Sequence, residues 1–298
     1  MNRTYRKHRS TASILLTITA IALAVLIAAA AFIYFAGIRY IRYNYEDGYV
    51  KYFGRVDDNG DPLSGTLVYE SGVRAKVNLE KTEISYSNGD LYEGPLKNLR
   101  RHGYGRLIYK NGDVYEGEFA EDKISGTGKY SFVSGDVYEG QFKNGLMDGT
   151  GTYTWQNGSV YTGGFREGKK DGEGTFVWNY GDRYEGSYRM DQKSGYGVYT
   201  WKNGDVYDGE YAADARSGQG MYTWANGEKY EGTFKNNVMW VEGTYTWPSG
   251  RVYTGYFENG VIVRVVGDGS EAADGFLDSQ SGRPGGQLAQ AIDCADPR

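Results

Sequence analysis

The sequence is poor in the residues that build most catalytic and metal sites. It contains one cysteine, Cys294, so it can form neither an internal disulfide nor a thiolate metal site. Of its two histidines, His8 flanks an apolar run and His102 falls in one repeat loop, without histidine or cysteine neighbours. We therefore predict that the protein is not an enzyme and has no catalytic residues, metal site or cofactor.

The chain also contains only five prolines, and its formal net charge is negative, at -5. Nucleic-acid-binding domains carry a basic surface, so we expect no nucleic-acid partner. The glutamates Glu93, Glu116 and Glu139 could suggest the paired carboxylates of a glycoside hydrolase. Because they recur at one repeat position, a structural role is favoured, and we expect no small-molecule substrate.

Glycine and tyrosine, in contrast, are abundant. The chain contains 45 glycines and 29 tyrosines. The glycines lack the three-residue period of collagen, and the aromatic content argues against simple disorder. This composition indicates short strands joined by tight turns.

One long apolar run lies near the N-terminus. Residues 11–38 contain no charged side chain, and a span of about 20 apolar residues crosses a bilayer as a helix. We predict a basic tail at 1–11 and a transmembrane helix at 12–38. A cleavable signal peptide is the alternative, with 28–31 as a cleavage-like alanine stretch. The length of the run favours an uncleaved signal anchor.

The flanking charges suggest an orientation. Basic residues precede the helix at Arg3, Arg6, Lys7 and Arg9, and follow it at Arg39 and Arg42. Positive flanks favour the cytoplasmic side. We therefore predict a single-pass membrane protein with a cytoplasmic N-terminus and an extracytoplasmic repeat domain, joined by a juxtamembrane linker at 39–51.

From Tyr92 onward the sequence repeats every 23 residues. The repeated tyrosines are Tyr92, Tyr115, Tyr138, Tyr161, Tyr184, Tyr207, Tyr230 and Tyr253. Each is followed two residues later by glycine, and a glycine pair such as Gly103 and Gly105 lies mid-repeat. A fixed period of this length indicates a stacked repeat array. We place the array at 92–266, degenerate repeats at 52–91 and a disordered acidic tail at 267–298.

Each repeat is predicted to form a β-hairpin. Asn-Gly between alternating segments, as at Asn111-Gly112, is a strong hairpin signal. A three-residue loop at 110–112 places Arg106 opposite Glu116, which pairs opposite charges across the strands. With the same loop length, Tyr153 faces Tyr161, and the aromatic side chains gather on one face of the sheet.

The pattern Tyr-Glu-Gly-x-Phe, Gly-x-Gly and Asn-Gly-x-x-Tyr resembles the MORN repeat family, strongly over 92–266 and weakly over 52–91. The resemblance implies an all-β fold, a single-layer elongated sheet of tandem hairpins, here preceded by one transmembrane α-helix. It implies membrane attachment, protein scaffolding or self-association, and it implies no chemistry.

Two features are not part of the common repeat pattern. The first is a tryptophan ladder, Trp155, Trp178, Trp201, Trp224 and Trp247. Packing between adjacent repeats is the favoured interpretation, and an aromatic groove for a peptide or glycan is the alternative.

The second feature is an apolar break in the seventh full repeat, Val238, Met239, Trp240 and Val241, where other repeats have polar residues and glycine. It is either a cap on the array or an exposed patch for a partner or a second copy of the chain. We consider both open, and we expect this segment and the final strand at 261–266 to mediate association.

These observations predict a membrane-anchored, non-enzymatic scaffold that presents a protein-binding or self-association surface. A cell-envelope module that binds glycan through the aromatic ladder is the alternative. Lipid contact by the repeats is less favoured because acids outnumber bases in them. The basic cluster of Lys97, Arg100, Arg101 and Arg106 is the one expected to reach the headgroups.

Overall fold

The computed structural model describes residues 11–79 and 82–265. The predicted basic tail, apart from Thr11, and the predicted acidic tail lie outside the described residues. The described chain forms two compact units, which divide after Lys123.

The first unit contains the helix and ten strands. Helix α1 spans Thr11–Phe35. The strands are β1 Ile38–Tyr45, β2 Gly48–Val56, β3 Pro62–Tyr69, β4 Arg74–Asn78, β5 Glu83–Tyr86, β6 Leu91–Glu93, β7 Leu96–Lys97, β8 Arg100–Arg101, β9 Gly103–Ile108 and β10 Val114–Ala120. Strands β1 to β6 pair antiparallel in chain order, β6 pairs with β9, and β9 pairs with β10. Strands β7 and β8 form a separate small hairpin.

The helix ends earlier than the predicted boundary, and the predicted linker is strand. Gly37 turns the chain with φ +72°, and Ile38 begins β1. The segment 39–51 falls in β1 and β2, which pair without a register shift, with Tyr40 opposite Phe53. The reason lies in the sequence Ile-Arg-Tyr-Ile-Arg-Tyr, whose β-branched and aromatic residues favour a pleated strand.

The second unit contains thirteen strands, β11 to β23. They are β11 Lys123–Ser131, β12 Val137–Lys143, β13 Leu146–Thr154, β14 Val160–Arg166, β15 Lys169–Val177, β16 Arg183–Arg189, β17 Gln192–Thr200, β18 Val206–Ala212, β19 Ala215–Thr223, β20 Lys229–Lys235, β21 Val238–Thr246, β22 Val252–Glu258 and β23 Val261–Val265. Each pairs antiparallel with the next strand in the chain.

The three-residue hairpin loop is confirmed. The backbone N of Tyr109 donates to the carbonyl of Asp113 at 2.9 Å, and Gly112 N donates back to Tyr109 O at 2.9 Å. Gly112 has φ +98°, the left-handed position that ends a type I turn in such loops. Arg106 then lies opposite Glu116, with 2.9 Å between Nε and Oε1. The turn therefore sets the register of the hairpin.

The core lies on one face of the paired strands in each unit. In β14, Tyr161 and Phe165 are buried while Thr162 and Arg166, on the other parity, are exposed. Tyr153 lies opposite Tyr161, as the loop length predicts. The all-β architecture of tandem hairpins behind a single helix is thus confirmed. The core forms from side chains on one face that pack against their counterparts in adjacent hairpins.

Candidate interaction surfaces

The repeated tyrosines lie flat over cross-strand glycine pairs. The Oη of Tyr161 donates to the carbonyl of Gly164 at 3.0 Å. A Cβ built on Gly174 would lie 2.5 Å from Cε2 of the same ring. Only glycine leaves room for the ring here, so burial of the repeated tyrosine requires glycine at the positions beneath its ring. The same burial raises the pKa of Tyr138 to about 12.

The five tryptophans of the ladder belong to a continuous aromatic stack. Trp155 lies 4.5 Å from the ring of Tyr153 and 4.9 Å from that of Phe176 in the next repeat. The stack, by ring, is Tyr130, Phe132, Tyr153, Trp155, Phe176, Trp178, Tyr199, Trp201, Tyr222, Trp224, Tyr245 and Trp247. Trp224 is buried and the other four tryptophans are half-buried. Neighbouring rings therefore pack against the tryptophan rings along the stack.

Acidic residues at several hairpin turns tie one repeat to the next. Asp136 accepts a hydrogen bond from Gln156 N at 2.8 Å and another from Tyr153 Oη at 3.1 Å. Asp205 does the same with Ala225 N and Tyr222 Oη, each at 2.8 Å. These carboxylates hold successive turns in register and accept hydrogen bonds from phenols of the aromatic stack.

Sequence reasoning missed a row of cations on the aromatic face. Lys193 and Arg216 are only 5% and 7% exposed, and Lys170 is half-buried. Lys170 Nζ lies 5.0 Å from the ring of Phe176 and 4.9 Å from that of Tyr188. Desolvation by burial lowers the pKa of Lys170. The 23-residue spacing of Lys170, Lys193 and Arg216 in the sequence could have revealed this row. Aromatic rings attract such cations electrostatically.

The apolar break at 238–241 divides between core and surface. Met239 is 2% exposed and lies opposite Phe234 in the ladder, so it belongs to the core. Val238 and Trp240 are half-buried, and Lys235 Nζ lies 4.4 Å from the Trp240 ring. Val241 is 44% exposed. Three of the four predicted residues thus reach the surface.

Val241 also carries backbone strain. Its φ is +53°, in the left-handed region that β-branched residues avoid. The corresponding position in earlier repeats of the second unit is glycine with positive φ, at Gly126, Gly149, Gly172, Gly195 and Gly218. This repeat therefore places an apolar side chain at the surface where the others use glycine.

The predicted basic cluster is not free. Arg100 contacts Asp47, Glu121 and Asp122. Arg101 contacts Asp122 as well, with 3.3 Å between Nε and Oδ1. Within this cluster, Arg106 pairs with Glu93 and Glu116. These pairs neutralise most of the cations that the sequence suggested for headgroup contact.

The fold and these surfaces define a tandem β-hairpin repeat protein with a scaffold architecture. The chain belongs to the MORN repeat family, since the MORN repeat model matches seven consecutive units at 92–114, 115–137, 138–160, 161–183, 184–206, 207–229 and 230–250. Comparison with curated proteins gives no match.

Several solved structures show a distant likeness. The TCP domain of SAS-4 (dCPAP) from Drosophila melanogaster, in complex with a proline-rich motif of Ana2, is 13% identical over 61% of this chain and 93% of that chain, with a TM-score of 0.35. The TCP10 domain of Danio rerio CPAP is 12% identical over 72% and 96%, with a TM-score of 0.34. A streptogramin B lyase is 14% identical over 76% and 85%, with a TM-score of 0.15. The family assignment rests on the repeat match alone.

Proposed function

We propose that this protein is a membrane-anchored, non-enzymatic scaffold that binds a protein partner or a second copy of itself through the end of its repeat array. The observation that carries the proposal is Val241, an exposed valine held at φ +53°. Strained residues persist where the surrounding structure over-determines them, and they concentrate at functional sites.

The anchor is the N-terminal helix. Its span from Ala12 to Phe35 has a mean hydropathy of 2.7 and no buried residue. A bilayer would cover this apolar surface, which is otherwise exposed to water. Flotation of the full chain with liposomes after alkaline extraction tests the anchor. Recovery of a mature chain that begins after Ala31 would identify a cleaved signal peptide instead.

The orientation proposed is a cytoplasmic N-terminus and an extracytoplasmic repeat domain. It rests on the four basic residues that precede the helix, against Arg39 and Arg42, which are followed by Glu46 and Asp47. Protease treatment of intact cells, with a tag after Arg298, tests it. Loss of the tag while a cytosolic control survives supports the orientation, and a tag protected until lysis reverses it.

The binding surface proposed comprises Val238, Trp240 and Val241 together with two residues of the last strand. Val261 and Val263 are 40% and 57% exposed, and each lies 23 residues after Val238 and Trp240 respectively. They therefore continue the same rows into the next hairpin. Apolar side chains exposed at one end of the array are candidates for an interaction site.

Self-association is the first test because it needs no known partner. The full chain in liposomes is cross-linked, and the size of the products is compared with that of a Trp240→Ser, Val241→Gly variant. Tyr196→Ser, which removes a side chain that is 60% exposed in another repeat, is the matched control. Loss of the cross-linked dimer only in the first variant supports self-association. A dimer that persists in both variants contradicts it, and a chain that stays monomeric throughout directs the search to a different protein partner.

Glycan binding is not favoured by the geometry of the stack. Sugars bind aromatic faces, and the tryptophan faces pack against rings 4.3–5.3 Å away along the stack. We therefore treat the tryptophan ladder as inter-repeat packing, and the end of the array as the interaction surface.

A further inference from the structure

The last part of the aromatic stack is an uninterrupted run of tryptophan and tyrosine rings. Consecutive ring centroids in this run are 4.5–5.3 Å apart. The rings, in order, are Trp178, Tyr199, Trp201, Tyr222, Trp224, Tyr245 and Trp247. We call them the oxidisable run, because indole and phenol lose one electron far more readily than the ring of phenylalanine does.

Phenylalanine occurs in the stack only before this run. Phe176 stands at the tyrosine position of its repeat, with 4.3 Å between its ring centroid and that of Trp178. Phe132 stands at the tryptophan position of an earlier repeat, 4.5 Å from the Tyr130 ring. The stack therefore accepts phenylalanine at both ring positions with its packing intact. Packing alone does not explain why every ring of the oxidisable run can lose an electron.

Two tyrosines of the run have a proton acceptor in place. The phenol of Tyr199 donates to Asp182 at 2.7 Å, and that of Tyr222 donates to Asp205 at 2.8 Å. All four side chains are at most 7% exposed. A phenol that loses an electron becomes a strong acid, so its proton passes along the existing hydrogen bond to the carboxylate. The products are a neutral tyrosyl radical and a neutral carboxyl group, so no charged radical is left buried.

The buried cations beside the run favour tyrosine as the resting place of the radical. Lys193 Nζ lies 5.9 Å from the Trp178 ring, and the guanidinium carbon of Arg216 lies 5.7 Å from the Trp201 ring. A tryptophan that loses an electron becomes a radical cation, which a neighbouring positive charge destabilises. The tyrosyl radical is neutral once its proton has moved, so the same charge affects it little. Tryptophan therefore serves as a crossing point between the tyrosines.

The run is too long for an electron to cross it in one step. Trp178 follows β15 and Trp247 follows β21, so six strand spacings of ~4.8 Å separate the two ends. The rate of electron transfer falls exponentially with distance. Several short steps between rings 4.5–5.3 Å apart are therefore far faster than one direct step between the ends.

We propose that the oxidisable run relays a one-electron oxidising equivalent along the array, from a peroxyl radical that meets the half-buried Trp247 to Trp178. The peroxyl radical gains one electron from Trp247 and one proton from water, which yields a hydroperoxide. Each oxidised ring then regains an electron from the next ring of the run. At Tyr222 and Tyr199 the phenol proton moves to the paired aspartate and returns when the ring is reduced.

The relay consumes one external electron for each peroxyl radical. Trp178 is half-buried, so a small one-electron reductant such as ascorbate can donate that electron there and release a proton to water. The rings and the aspartates then return to their starting state. This activity goes beyond the proposed scaffold and depends on neither the membrane anchor nor the association surface.

Photo-oxidation from a fixed point tests the relay. The full chain in detergent carries Cys294→Ser and Ser249→Cys, so that a ruthenium tris-bipyridine complex is attached only in the exposed turn after Trp247. A flash with a soluble electron acceptor generates ruthenium(III), which replaces the peroxyl radical as the one-electron oxidant. Mass spectrometry then measures the ratio of oxidised Trp178 to oxidised Trp247. We expect oxidation at both ends of the run, with added ascorbate suppressing it.

One variant interrupts the run and keeps its packing. Tyr222→Phe with Asp205→Ser copies the phenylalanine and serine of an earlier repeat, and Trp224→Phe copies a phenylalanine at the tryptophan position. Phenylalanine yields an electron much less readily, so the radical meets a higher barrier at these two rings. We expect the ratio of oxidised Trp178 to oxidised Trp247 to fall at least about tenfold, which corresponds to ~1.4 kcal/mol in that barrier.

Two single variants complete the comparison. Asp205→Asn keeps a polar side chain beside Tyr222 but removes the base that accepts its proton, so the ratio should fall severalfold with the rings unchanged. Tyr196→Phe removes a phenol that is 60% exposed and lies outside the run, so the ratio should not change. Circular dichroism and denaturant midpoints establish that each variant is folded.

The outcomes decide between a relay and packing alone. Oxidation that stays at Trp247 and Tyr245 in the parent chain overturns the relay. An equal ratio in the parent chain and the interrupted variant also overturns it, because oxidants that diffuse outside the stack would then account for oxidised Trp178. A ratio that Asp205→Asn leaves unchanged contradicts the proton transfer. Oxidation of Trp178 that is lost in the interrupted variant, weakened by Asp205→Asn and intact in Tyr196→Phe supports the proposal.

Discussion

The phenol of Tyr199 donates a 2.7 Å hydrogen bond to Oδ2 of Asp182, which lies in the hairpin turn of the preceding repeat. The other oxygen of Asp182 accepts from the backbone N of Lys202 at 2.8 Å. Both side chains are buried. One carboxylate thus satisfies a side chain and the backbone of the next repeat, which sets the spacing between successive hairpins.

Where the acid is missing, its phenol partner is missing too. Ser159 replaces the aspartate in one repeat, and its Oγ accepts from Asn179 N at 3.1 Å. The residue at the tyrosine position is then Phe176. This substitution leaves no phenol without an acceptor, which follows from the cost of burying an unsatisfied polar group.

We predict coupling between these two positions in a double-mutant cycle. Tyr199→Phe and Asp182→Ser should each lower the free energy of unfolding by about 2 kcal/mol, because each leaves a buried group without its charged or polar partner. The double variant copies the Ser159–Phe176 pair and should cost about 1 kcal/mol less than the sum of the two. Denaturant unfolding followed by circular dichroism measures all four proteins. If the two changes in the free energy of unfolding are strictly additive, the hydrogen bond makes no net contribution to stability.

Glycine should be required at Gly174 for reasons of space. Gly174→Ala places a methyl group 2.5 Å from Cε2 of Tyr161, so the ring must move. We expect a loss of about 3 kcal/mol. Gly172→Ala is the matched control: its φ is +96° but nothing lies within 4 Å of the added Cβ, so it should cost only about 1 kcal/mol. Equal losses in denaturant midpoint would refute the steric role of the ring.

Val241→Gly should stabilise the array. Removing the side chain relieves a left-handed conformation that costs a non-glycine residue about 1 kcal/mol. The reverse change, Gly195→Val, should destabilise by at least as much, because Gly195 has φ +71°. Thermal unfolding compares the two. A lower melting temperature for Val241→Gly would mean that valine packing outweighs the strain.

Stability should collapse in strong alkali. Burial raises the pKa of Tyr138 and of Tyr153 to about 12, above the ~10 of an unfolded tyrosine. The folded state therefore holds these protons more tightly, so their contribution is complete below pH ~10 and is lost as the pH rises through about 12. Phenolate absorbance and circular dichroism should change together in one step. Ionisation of most tyrosines before any loss of structure would contradict this expectation.

The sequence alone determined the repeat, the hairpin, its loop length and its inward face. These properties are local, because the 23-residue period and the alternation within each strand set which residues face each other across a tight turn. The pairing of Arg106 with Glu116 follows from counting residues around Asn111-Gly112. The family could be identified for the same reason.

Only the tertiary structure decided which side chains remain available. The sequence left open whether the apolar segment that contains Met239 is a cap or an exposed patch. Met239 itself is buried opposite Phe234, because its strand parity directs it into the core. Arg100 is neutralised by Asp47, which lies 53 residues away in sequence. In contrast, Lys51 and Lys76, which form no salt bridge within the described residues, lie on one face that three strand registers assemble. Pairing between distant segments and the accumulated registers of several strands are three-dimensional properties, which no local pattern in the sequence specifies.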